Sequence, residues 1–311
     1  GITSGTVEIT PFESAFGFLY AETQVEFFAP EDPATVLASV TEVGGPAVVI
    51  PSSLAEGQEY LWRARYGGRP NQAGAVSYSD WTAKRSVFNG AASIVLVYDP
   101  ALALNRTIRL PLGLESTIAV VNVIVDWGDG TSESVTSRGT RTHQYAPEVA
   151  GPVTVTISGT LTHYGGDVDQ TGLVRVDSFG FKLGLVSLRR ALARVSPALG
   201  VVNARIPPQV SDVSQMFLRA ALDPALDISQ MQFPGVTTMA GMFERAAFNG
   251  DLSGWDVSGV TDMAGMFRYA TFNNDSIAGW DIASVTDLSH AFAGSGNGVL
   301  VQMNPDISAW N

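Results

Sequence analysis

Two pairs of aspartates are placed where they could hold a cation. Asp126 and Asp129 stand in Asp126-Trp127-Gly128-Asp129-Gly130-Thr131, and Asp167 and Asp169 in Gly166-Asp167-Val168-Asp169. Calcium needs six or more oxygens, usually with a closing bidentate carboxylate. In an EF-hand begun at Asp167 that residue would stand at position 178, which is Ser178. Gly128-Asp129-Gly130 is better explained as a hairpin turn, because Asp and Gly tolerate the positive φ such turns demand. The four aspartates therefore stay weak calcium candidates, and no metal or cofactor is expected.

A second group recurs. Asp251, Asp256, Asp275, Asp281 and Asp306 lie close to Trp255, Trp280 and Trp310. Paired carboxylates could serve a glycosidase, and a row of exposed indoles could be a platform for sugars. The repetition argues against catalysis, since an active site occurs once and these acids return like turn residues. A column of tryptophans buried between layers is the better reading, and Trp255, Trp280 and Trp310 are kept as partner-binding candidates beside it. The three histidines, His143, His163 and His290, fall in unrelated contexts. No Gly-x-Ser-x-Gly, Walker loop, Gly-x-Gly-x-x-Gly or His-Glu-x-x-His occurs. The expectation is that the protein is not an enzyme.

The elements that carry these residues fall into three regions. Residues 1–92 read as short strands, with turn signals at Glu31-Asp32-Pro33, Gly44-Gly45-Pro46 and Gly67-Gly68. Tyr60 to Tyr66 alternates, which puts Tyr60, Trp62, Ala64 and Tyr66 on one face and Arg63 and Arg65 on the other. Leu-x-x-Gly-x-x-Tyr at Leu54, Gly57 and Tyr60 has the form of a tyrosine corner. Residues 95–178 are again β-rich, with Ile118 to Val125 reading as a buried strand.

Residues 179–311 repeat. Val236-Thr237-Thr238-Met239-Ala240-Gly241-Met242-Phe243 returns as Val260-Thr261-Asp262-Met263-Ala264-Gly265-Met266-Phe267, and again from Val285 to Phe292. Met239 and Met263 are 24 residues apart, Trp255 and Trp280 25. Such periodicity predicts a solenoid, whose units hide their apolar faces only by stacking. The i, i+3, i+4 spacing of Met239, Met242 and Phe243 predicts a short helix with a buried face. Asp262 and Asp287 would be its N-caps.

With Ser79-Asp80-Trp81, the first region resembles a fibronectin type III domain. The Asp-Trp-Gly-Asp-Gly-Thr segment, with Thr142-His143-Gln144-Tyr145, resembles a PKD-like sandwich and departs from it at Val153, where an aromatic residue is usual. Val-Thr-Asp-Met-x-x-Met-Phe, Phe-Asn-x-Asp and Trp-Asp-Val-Ser resemble the repeats of BspA-like leucine-rich-repeat surface proteins, of the kind noted in mycoplasma lipoproteins. The fold expected is thus mainly β: two Ig-like β-sandwich domains followed by a leucine-rich-repeat-type α/β solenoid. The resemblance implies no catalytic residues.

Composition bounds the partners. The 311 residues carry a net charge of −12, with pI about 4.6. Phosphate backbones and anionic bilayers both need a basic footprint, so neither nucleic acid nor a membrane surface is expected. No cysteine is present, which removes disulfides and thiolate metal sites. No apolar run approaches the roughly 18 residues of a membrane helix.

The function expected is adhesion or recognition at a bacterial surface, with a cell-surface protein or glycan as partner and an extracellular location. The alternatives are a phage virion component (tail, fibre or capsid decoration) and a carbohydrate-binding accessory module. Because the sequence ends at Asn311 immediately after Trp310, an uncovered last repeat predicts a homo-oligomer, a larger assembly or further chain. A start at Gly1 points to processing or to missing upstream residues.

Overall fold

The computed structural model describes residues 2–3, 6–8, 19–29, 34–42, 47–49, 58–69, 77–78, 85–89, 92–196, 199–202, 205–223, 226–229, 231–294, 307–308 and 310. The chain divides into two compact units, Gly1–Ala91 and Ala92–Asn311. It is mainly β, and among the described residues there is no α-helix, only three short 3-10 turns.

The first unit centres on Leu19–Phe28 and Gln58–Arg69, paired antiparallel, with Val36–Glu42 and two shorter strands alongside. Alternation holds where side chains are described. Ala64 is buried beside Val25 and Phe27, while Arg63 pairs with Glu26 at 2.8 Å and Arg65 donates to Gln24 at 2.8 Å. Gly67-Gly68 is not a turn. The strand runs through both glycines to Arg69, and Tyr20 and Glu22 oppose them across a register shift. The other two turn signals, Leu54 and Gly57 of the tyrosine corner, and Ser79-Asp80-Trp81 lie outside the described residues.

The second unit begins with a six-stranded sheet, in the order Ser132–Val135, Val121–Asp126, Val153–Leu161, Ile94–Tyr98, Leu173–Phe179, Val201–Val202. Thr107–Leu112 and Gly139–Gln144 form a separate pair. Val121–Asp126 alternates buried and exposed residues, so this strand is covered on one face. Its start corrects the sequence reading, because Ile118 is 83% exposed and lies before the strand. The hairpin turn at Gly128-Asp129-Gly130 is present, with Gly128 at φ 77° and Gly130 at φ 90°, and the Trp127 amide donates to the Thr131 carbonyl at 3.0 Å.

The core continues from this sheet into the repeats without a break. Leu161 donates its amide to Leu183, His163 bridges Ser187, and Gln170 bridges Val195 in parallel. Beyond, isolated parallel bridges join Ser187, Asp212, Thr238, Asp262 and Asp287 in succession. Each repeat is one tier of a stack. Equivalent side chains superpose: Phe217, Phe243, Phe267 and Phe292 stack at 5.2–5.6 Å, and Trp255, Trp280 and Trp310 at 6.2 and 6.3 Å.

The helix expected at Met239–Phe243 does not form. Backbone amides divide between two tasks. Met242, Glu244 and Ala246 close tight turns onto Met239, Gly241 and Phe243. Met239, Gly241, Phe243 and Arg245 donate to Asp262, Ala264, Met266 and Arg268 of the next tier. Consecutive turns bury Met239, Met242 and Phe243 as well as a helix would, so the spacing alone does not distinguish them. Asp262 and Asp287 are therefore not N-caps. Each accepts from the amide two residues on, Ala264 at 2.9 Å and Ser289 at 2.8 Å, which closes a side-chain turn.

Candidate functional site

The left-handed residues of the turns align in two columns. One runs Arg190, Gln215, Gly241, Gly265, His290, with φ between 55° and 62°; the other runs Arg194, Arg219, Arg245, Tyr269, with φ between 54° and 60°. Non-glycine residues pay for this conformation. The amide ladder between tiers holds them there, since Gln215 donates to Ala240 at 2.8 Å and Arg219 to Glu244 at 2.9 Å.

In the first column the side chains stop for two tiers. Gly241 and Gly265 leave a groove of about 210 Å³ where Arg190, Gln215 and His290 would otherwise continue. Ala240 and Ala264 line it too, together with Arg189, Gln215, Glu244, Arg268, Ser289 and His290, and the Gln215 side chain lies over Gly241, where a Cβ would stand 3.0 Å from its Cγ.

The polar groups are wired across tiers. Arg189 donates to Ser214 at 2.9 Å and to Gln215 at 2.8 Å, and Gln215 donates to Glu244 at 3.3 Å. Arg189 and Arg190 also reach Glu115 from the sheet region, at 3.4 and 3.3 Å. Arg268 lies 4.0 Å from Glu244 and donates to the Tyr269 hydroxyl at 3.2 Å. The guanidinium carbons of Arg245 and Arg268 both sit over the Tyr269 ring, at 4.9 and 4.8 Å. Arg219 is exposed and makes no ion pair among the described residues. In an acidic chain this face is locally cationic, with hydrogen-bond donors preset and one carboxylate, Glu244, beside them.

The residues singled out by sequence lie elsewhere. Trp255 and Trp280 are 4% and 5% exposed, so they are core and present no platform. Their indole N–H groups donate inward, to Ile228 at 2.7 Å and Leu252 at 3.2 Å, and half-buried Trp310 donates to Ile277 at 2.9 Å. Asp251, Asp256 and Asp281 each accept from the amide two residues on; Asp306 lies outside the described residues.

The calcium candidates are each engaged. Asp126 accepts from Gly128, and Asp129 accepts from Thr131 and meets His143 Nε2 at 2.7 Å. Burial would raise the Asp129 carboxyl, but the bonds from Thr131 and His143 outweigh it and hold it at about 2. Trp127 stacks on His143 at 4.8 Å, and Tyr145 donates to the Trp127 carbonyl. Asp167 and Asp169 both face Arg194, at 3.6 and 2.6 Å. Among the described residues no three potential ligands converge on a metal position. The histidines stay apart: His143 at this turn, His163 where sheet meets stack, His290 at the groove.

The groove was missed because no single motif carries it. Alignment of the repeats by tier shows it, as two consecutive glycines in a column of long polar residues.

One family model, described as Mycoplasma protein of unknown function, DUF285, matches residues 206–311. No curated protein and no solved structure matches the chain. The resemblance to BspA-like leucine-rich-repeat surface proteins is not upheld. The matching family is one of unknown function, and a chain without α-helix among its described residues does not form that α/β solenoid. Among the described residues no helix is long and apolar enough to cross a membrane.

Proposed function

We propose that this is a non-enzymatic recognition protein that works outside the cell, on a bacterial surface, and holds a protein or glycan of a cell surface against the turn face of its repeat stack. The same chain holds two Ig-like sandwich modules. The observation that supports this best is the groove over Gly241 and Gly265. It is formed by backbone and by side chains already bonded to one another, so little ordering is needed when a ligand arrives. Catalysis fits it poorly, because Glu244 is the sole carboxylate among the lining residues and a glycosidase pair needs two.

Binding of the full chain to arrays of cell-surface glycans and proteins tests this reading. Saturable binding that weakens in Arg268→Glu supports it. No binding to any surface component, or turnover of a bound glycan, contradicts it. Co-purification with virus-like particles would move the site of action to a virion.

A further inference from the structure

We propose that the groove over Gly241 and Gly265 is a subsite for a carboxylate-bearing sugar ring. The proposal rests on the recognition reading and names the ligand of that same site.

Three features select the chemistry. The first is size. At about 210 Å³, the groove is smaller than the roughly 300 Å³ at which drug-sized pockets begin. A space of that volume holds about one sugar ring.

The second is charge. Arg268 is about two-fifths exposed and His290 is exposed, while Arg245 stands in the neighbouring column, 3.8 Å from Glu244. Arg268 already holds the Tyr269 oxygen through one terminal nitrogen, at 3.2 Å. Its other terminal nitrogen faces Glu244 at 4.0 Å, beyond hydrogen-bond range. A carboxylate in the groove would complete that fork.

The third is the acceptor. Glu244 is mostly buried, with 18% of its side chain exposed; Oε2 accepts from Gln215 at 3.3 Å, and Oε1 faces Arg245 at 3.8 Å and Arg268 at 4.0 Å, beyond hydrogen-bond range. A ligand bearing only a carboxylate, such as an acidic peptide side chain, would be repelled by Glu244. A ring that also carries hydroxyls can donate to it. Recognition of one anion together with neighbouring hydroxyls is the pattern of a uronic or related acidic sugar.

The lane can be filled without removing any polar group. Asn tolerates the left-handed region, and Gln already occupies it at Gln215, with φ 55°. A Cβ at Gly265 would meet only Arg268 carbons, at 3.7 Å, so Gly265→Asn and Gly265→Gln should fold and block the groove.

The test is calorimetric titration of the full chain with sodium glucuronate, glucose and sodium acetate, together with amide chemical shifts of the wild-type protein. The expected result is that glucuronate binds at least about tenfold more tightly than either probe, since both halves of the ligand are needed. Its addition shifts Gly241 and Gly265, and each filling variant loses at least about tenfold in affinity while still unfolding cooperatively, at a midpoint lowered only by the cost of a non-glycine residue at positive φ. The proposal is overturned if glucuronate binds no better than glucose or acetate, if the shifted amides lie elsewhere, or if a folded filling variant binds normally. Array binding that persists while glucuronate fails would overturn the subsite alone. Loss of all surface binding would overturn the wider reading.

Discussion

Phe243 and Phe267 lie face to face one tier apart, with ring centroids 5.5 Å apart and planes 1° from parallel. Phe243 also touches Phe217, Phe248 and Trp255. It ties the turn layer to the tryptophan column in its own tier and to both neighbouring tiers. Truncation would leave a void that the rigid ladder of inter-tier hydrogen bonds cannot close. Phe243→Ala is expected to cost about 3–5 kcal/mol, read as a lowered midpoint in thermal or denaturant unfolding. An unchanged midpoint would mean that the ring is not packed as described.

The Asp129–His143 contact predicts an acid-sensitive contribution. Hydrogen bonds from Thr131 and His143 outweigh burial and hold the folded Asp129 pKa at about 2, below its ordinary 3.8. The carboxylate is thus the form the fold stabilises. Its contribution is complete above about pH 4 and is lost as pH falls through 2. Asp129→Asn should lower stability by about 1–2 kcal/mol at pH 7, and the two proteins should converge near pH 2. Equal stability at neutral pH would contradict this.

Gln170 predicts coupling between the sheet and the stack. It is fully buried, and its amide nitrogen donates to the Ala191 carbonyl at 2.7 Å and the Ala193 carbonyl at 3.5 Å. Gln170→Ala would strand those carbonyls, at a cost of about 1–3 kcal/mol. Because the core is continuous, residues 92–311 should melt in one calorimetric transition that moves as a whole in the variant. Separate transitions for sheet and repeats would refute the coupling.

Arg194 predicts indifference to calcium. It pairs with Asp167 and Asp169, so a cation would have to displace a guanidinium. About 1 mM calcium, enough for weak extracellular sites, should leave the melting temperature unchanged. A rise of several degrees would reinstate the acidic loop as a metal site.

The sequence carried the period, the buried columns and the β character plainly, since Met239, Met263, Trp255 and Trp280 recur at fixed intervals and identical apolar residues must superpose in a stack. It did not carry the backbone conformation within a tier. Met239, Met242 and Phe243 share a face in a helix and in consecutive turns alike; the choice depends on Gly241 and Arg245 taking positive φ and on amides bonding to the next tier. The same ambiguity left the tryptophans open between an exposed platform and a buried column, because a periodic indole can face outward or inward until its N–H partner is known; the burial of Trp255 and Trp280 bears out the column. The groove was legible only in part. Its glycines are visible, but their effect depends on Gln215 and His290 standing above and below them in space.

If the turn face, and within it the groove over Gly241 and Gly265, is the recognition surface, then surface-ligand binding by the full chain should separate Arg268→Glu at the groove from Arg138→Glu in the sheet region. Arg268→Glu should lose most of the binding, while Arg138→Glu should bind as the unaltered protein does. Binding that survives Arg268→Glu and is lost in Arg138→Glu would contradict it.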